Sequence, residues 1–179
     1  DYLLEIGVSD SVAVYLNMVI LLILLFIVIF IVDFIIRRVL RNLFSVLAGR
    51  TKSNFDDIMI KNKVPRNIAH IIPLVVVYEF APMVFSDFPY WESLLEKGLM
   101  VFGIILTLWL VRSFLNTLKD FLKTLPSFKD KPIDSYIQVF MIFAWVVGIF
   151  SAFAILTGIS FWKFATSLGA ISAVLLLVF

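Results

Sequence analysis

Few side chains in this sequence are equipped for chemistry, and they stand apart from one another. Glu79 is the most conspicuous, because it lies about two helical turns inside an apolar segment. A carboxylate at such depth points first to ion or proton handling. A proton relay needs further carboxylates at similar depth, and the sequence offers none. Pro73 and Pro82 free backbone groups in the same segment, so the stronger reading of Glu79 is structural, with a possible intramembrane polar site as the functional one. Asp33 has Arg37 four residues on, a spacing that predicts a local ion pair on a helix. His70 is the only histidine, with no cysteine anywhere in the chain; a lone imidazole is not a metal site and reads as an interface residue. There is no thiol nucleophile, no G-x-S-x-G, no H-E-x-x-H, no P-loop and no glycine-rich dinucleotide turn. No catalytic residue, metal or cofactor is expected, and an enzyme is the least favoured class.

The elements that hold these residues are set by composition. The chain is 62% hydrophobic and 16% charged, with a mean hydropathy of +1.06. Ordinary soluble domains are about half apolar and a quarter charged, so this is an all-α integral membrane protein in expectation. Five apolar spans are predicted, near 11–36, 68–86, 94–114, 135–156 and from 158 to 179. A membrane helix needs roughly 20 apolar residues.

Basic residues fix the threading. Arg37, Arg38, Arg41, Arg50, Lys52, Lys61, Lys63 and Arg66 fall between spans one and two, and Arg112, Lys119, Lys123, Lys129 and Lys131 between spans three and four. Only Lys97 and Lys163 lie elsewhere. The positive-inside rule makes loops 37–67 and 115–134 cytoplasmic and the N-terminus external. Topology and anionic lipid account for these basic loops more simply than nucleic acid does. Tyr15, Tyr90, Trp91 and Trp162 fall at outer interfaces and Tyr136 and Trp109 near inner ones; Trp145 is mid-span and is expected between helices. Within loop 37–67, Ile36, Val39, Leu40, Leu43 and Leu47 keep helical spacing and predict an amphipathic continuation of span one, stopped near Gly49. Ser53 or Asn54 then caps a short helix with Asp56 and Asp57 in its first turn, and Pro65 opens span two. A proline-bounded turn is expected over 125–132. Spans one to four make two hairpins, grouped as 1–157, and 158–179 stands apart. The chain begins with Asp1 and ends inside an apolar run, as trimmed boundaries of a longer protein would.

The last stretch, Phe164–Phe179, has no charge. Thr166, Gly169, Ala170, Ala173 and Leu177 fall on one helical face, and Leu168, Ile171, Leu175 and Val178 on the other. A face of small residues lets helix backbones approach closely in a bilayer. Such a face is either a packing surface or the flank of a pore, with an apolar constriction at Leu177.

Leu168-Gly169-Ala170-Ile171-Ser172-Ala173-Val174-Leu175-Leu176-Leu177-Val178-Phe179 resembles the first half of the pore helix of MscS-like mechanosensitive channels. The five-span layout, Asn54-Phe55-Asp56-Asp57-Ile58, Lys61-Asn62-Lys63-Val64 and Ala69-His70-Ile71-Ile72-Pro73 resemble the YbdG-like branch of that family. The resemblance implies a homoheptamer in a bacterial inner membrane that opens under tension and releases ions and small osmolytes. It implies that spans one to four sense tension, that Gly169, Ala170 and Ala173 pack around the pore, that Leu177 is its narrowest ring, and that Phe179 lies near the cytoplasmic exit. The alternatives are a small secondary transporter, which wants inverted repeats and midplane polar groups, and a membrane anchor or assembly module for a further cytoplasmic domain.

Overall fold

The computed structural model describes residues 9–50, 54–128 and 131–178. Every regular element among them is helical: α1 (Asp10–Arg50), α2 (Phe55–Lys61), α3 (Val64–Ala69), α4 (Ile71–Val84), α5 (Pro89–Leu122), a 3₁₀ turn (Pro126–Phe128), α6 (Ile133–Thr157) and α7 (Phe161–Val178). Five stretches are long and apolar enough to cross a membrane: Val12–Val46, Val64–Val84, Pro89–Leu122, Ile133–Thr157 and Phe161–Val178. The chain is an all-α, multi-pass membrane protein. In hydrocarbon every backbone N–H and C=O must be satisfied internally, and helices do this within one segment. Contacts divide the chain into two compact units, residues 1–99 and 100–179, with the division inside α5.

In the first unit α1 runs unbroken for 41 residues, roughly 60 Å at 1.5 Å per residue and about twice the hydrocarbon thickness. Span one therefore continues as helix well beyond Ile36, one residue past Gly49. The extension does not present one apolar face. Leu40 and Phe44 line a cleft with Ile60, Pro65 and Ala69, while Val39, Leu43 and Val46 are exposed on another side. Asn54 stands at the N-cap of α2 but makes no side-chain cap bond; Ser53 lies outside the described residues. Asp56 and Asp57 occupy the first turn of α2, favourably placed for the helix dipole.

Span two is not one continuous helix. Pro65 sits in the first turn of α3, which ends at Ala69, and α4 starts at Ile71. Pro73 explains the break: it offers no N–H to the Ala69 carbonyl, four residues back, and its ring crowds that carbonyl. His70 is the half-buried joint between the two helices. The buried side chains of this unit are Leu25, Val64, Ala69, Ala81 and Val84. Small residues at Ala69 and Ala81 let the helices meet closely, while larger apolar side chains such as Phe26 and Phe30 point outward, as lipid-facing positions do. The Tyr15 ring meets Phe88 at 5.3 Å between centroids, tying one end of α1 to the turn that precedes α5.

The second unit is built on the same rule. Its buried positions include Leu106, Leu108, Ser113, Thr117, Ile133 and Gly148. A Cβ at Gly148 would stand 2.8 Å from Leu108 Cδ1 and 3.4 Å from Ile104 Cγ2, so α6 meets α5 where α6 has no side chain. Thr117 is 0% exposed, and its hydroxyl donates to the Ser113 carbonyl at 2.9 Å. Thr107 and Thr157 likewise donate to the carbonyls of Gly103 and Phe153 at 2.8 Å. Each hydroxyl is satisfied on its own helix, which makes it tolerable away from water. The turn between α5 and α6 contains Pro126 and Pro132 as anticipated, with the Lys131 ammonium 4.4 Å from the Phe128 ring centre. Trp145 departs from expectation: it is 38% exposed on α6 rather than enclosed between helices.

Gly148→Val should lower stability by about 1–3 kcal/mol, the usual cost of overpacking. Gly98→Val, where an added Cβ meets nothing within 4 Å, should change it by less than about 1 kcal/mol. Unfolding midpoints of the two variants in one detergent check this.

Candidate functional site

The last helix is positioned by its first turns alone. Gly158 closes α6 in the left-handed conformation, φ 72°, which a residue with a Cβ resists, and the chain reverses into α7. There the Phe164 ring sits 5.3 Å from Phe150 and 5.1 Å from Phe153, centroid to centroid. This trio fastens α7 to α6. Phe161, Ala165 and Leu168 are half-buried on the same side. Beyond Leu168 the helix is exposed along its length among the described residues. Gly169, Ala170 and Ala173 are exposed, and a Cβ at Gly169 meets nothing within 4 Å. Leu176 and Leu177 are the most exposed large apolar residues, at 83% and 89%. Phe179 lies outside the described residues.

The Thr166 and Ser167 hydroxyls of α7 are spent locally. The Thr166 hydroxyl reaches the carbonyls of Trp162 and Lys163 at 2.8 and 3.0 Å, and Ser167 donates to the Lys163 carbonyl at 2.7 Å. What the helix offers to a neighbour is shape, small on one side and large on the other. The residues that the spacing places on the small face are together, on one exposed surface. The aromatic trio that aims this surface was not singled out from sequence. Its signal is the pair Phe150 and Phe153 ahead of the Gly158 turn, with Phe164 just after it.

Glu79 has closer company than the sequence suggests. It lines a cleft of about 200 Å³ with Tyr78, Pro82, Glu92 and Glu96. The Tyr78 hydroxyl donates to Glu96 Oε1 at 3.3 Å. Glu79 is exposed, so it is not a carboxylate sealed in an apolar core. Among the described residues no three His, Asp or Glu side chains gather closely enough to hold a metal ion.

The predicted pair of Asp33 and Arg37 forms, with Arg37 Nε 2.8 Å from Oδ1 and Nη2 2.7 Å from Oδ2. This two-pronged geometry is the stronger form of an ion pair. A second charged tie joins the α5–α6 turn: Asp134 accepts from Lys123 and lies 3.3 Å from Lys119 Nζ. Asp134 stands in the first turn of α6, at the end of the Ile133–Thr157 stretch.

No family model, curated protein or solved structure matches the chain.

One outcome follows from these surfaces. The chain has no native cysteine, so Ala173→Cys gives a single thiol on the small face and Ile171→Cys a single thiol about 200° around the helix. On oxidation in liposomes, Ala173→Cys should form covalent dimers several-fold faster; equal rates would mean that neither face is preferred.

Proposed function

We propose that this chain is the membrane part of a mechanosensitive channel of the MscS-like class, closest to its YbdG-like branch. In this reading the first four apolar spans lie in lipid and sense tension, and copies of α7 line the pore. Gly169, Ala170 and Ala173 form the close packing around it, Leu177 its narrowest ring, and Phe179 lies near its cytoplasmic end. The assembly is a homo-oligomer, a heptamer by the resemblance, in a bacterial inner membrane. The N-terminus faces the periplasm and loops 37–67 and 115–134 face the cytoplasm. The pore passes ions and small osmolytes during hypo-osmotic shock.

The observation that carries the reading is the bare small face of α7. A helix that carries no charge beyond Lys163 is fastened at one end by the Phe164 trio and then leaves its most closely packable surface without a partner among the described residues. Small residues at helical spacing are how membrane helices pack against one another, and copies of the same helix are the simplest complement. A ring of such helices has an apolar lumen at Leu177, and a narrow apolar constriction gates by dewetting. Tension favours whichever state occupies more membrane area, and it acts only through that difference. The large apolar surfaces of α1, α5 and α6 supply the grip on lipid through which such an area change is felt.

Patch recording from liposomes containing the protein is the direct test. Suction should open a conductance absent from protein-free patches; silence at tensions that open a control channel contradicts the reading. Leu177→Ser wets the constriction and should lower the opening tension. An unchanged threshold would put the gate at another residue.

A further inference from the structure

The second cleft of the first unit is independent of α7 and of the channel reading. It has a volume of about 640 Å³ and lies between the extension of α1 and the short helices α2 and α3. Four cationic side chains line it: Arg37, Arg41, Lys63 and Arg66. Arg37 is already held in the two-pronged pair with Asp33. Arg41, Lys63 and Arg66 have no carboxylate partner among the described residues. They come from two elements and the turn between α2 and α3, and converge only because α1 continues straight past its apolar run. Lys63 reaches the cleft from a left-handed turn, φ 62°, a conformation uncommon for a residue with a Cβ.

The rest of the lining is apolar, with Leu40 and Phe44 from α1 facing the same space. Depth is set by α1 itself. Its uncharged run from Ser11 to Val32 spans roughly 33 Å, close to the thickness of the hydrocarbon. The next turns, which carry Arg37, Arg41 and Phe44, stand at headgroup level. Three cations beside an apolar wall at that depth match a molecule that is anionic at one end and hydrocarbon at the other.

We propose that this cleft is a binding site for the phosphate headgroup of an anionic phospholipid, with Arg41, Lys63 and Arg66 as its ligands and Leu40 and Phe44 against the start of an acyl chain. Basic pockets beside membrane helices take anionic headgroups by the same chemistry. A soluble phosphate would meet the three cations but would gain nothing from the apolar wall, and a zwitterionic lipid would meet the wall but bring a cation of its own.

The test is native mass spectrometry of the protein titrated with single lipids or small anions. Dioleoylphosphatidylglycerol should bind at least about fivefold more tightly than dioleoylphosphatidylcholine. Arg41→Gln, Lys63→Gln and Arg66→Gln should each weaken the anionic lipid by about fivefold, the usual worth of one cation near an anionic surface. Arg41→Lys and Arg66→Lys should stay within about twofold, as should Lys119→Gln/Lys123→Gln, which removes charge elsewhere. Unchanged phosphatidylglycerol affinity in all three Gln variants would overturn the site. Inorganic phosphate or glycerol 3-phosphate binding as tightly as the lipid, with the same dependence on Arg41, Lys63 and Arg66, would overturn the lipid assignment and leave a soluble-anion site.

Discussion

Close approach of helices at small side chains holds each unit of this protein together. Apolar side chains gain little by leaving lipid for other apolar side chains, so adhesion between membrane helices depends on dispersion contacts that require short distances. Small residues recur among the buried positions, beside larger ones such as Leu25 and Leu106. Ala69 and Ala81 are among the few buried residues of the first unit, and Gly148, Ser113 and Thr117 among those of the second. Gly148 is the sharpest case, since Leu108 already occupies much of the space a side chain there would need. Most of the bulky apolar residues point outward, and that surface is the one a bilayer covers. The small face of α7 is the exception: it has the composition of a buried surface and the exposure of a lipid-facing one. The proposed function and the expectation of self-assembly both rest on that mismatch.

Charge is treated as consistently as size. Asp33 is matched by Arg37, and Asp134 by Lys119 and Lys123, and both ties stand near the ends of apolar runs. The hydroxyls of Thr107, Thr117, Thr157 and Thr166 return to carbonyls of their own helices. Against this background the three cations of the α1–α3 cleft are notable for having no acidic partner among the described residues. An anionic surface supplies what the chain itself does not.

Much of this was legible in the sequence because the deciding forces are local. Hydropathy alone gives five spans, and the i, i+4 spacing of Asp33 and Arg37 gives their pair. The break between α3 and α4 was not anticipated within span two, although Pro73 accounts for it through a hydrogen bond it cannot make. The continuation of α1 follows from helical periodicity beyond Ile36. What was not legible depends on partners distant in sequence. Glu79 reads as solitary along the chain, yet Glu92 and Glu96 line its cleft across a turn. Arg41, Lys63 and Arg66 read as topology markers, and only folding gathers them. Trp145 was expected inside by its need for a hydrogen-bond partner, but its position on α6 faces outward. Asn54 holds the N-cap position without the bond that normally recommends asparagine there. The direction of α7 is set by ring contacts among Phe150, Phe153 and Phe164, which no periodicity within one helix reveals.

The central claim is that copies of this chain cover the small face of α7. Native mass spectrometry of the protein released from lipid nanodiscs measures this most directly, because it counts subunits without relying on activity. The account predicts a single closed oligomer of several copies, reduced to smaller species when Gly169 and Ala173 are both changed to Leu. A monomer from nanodiscs, or an oligomer indifferent to both substitutions, would contradict it.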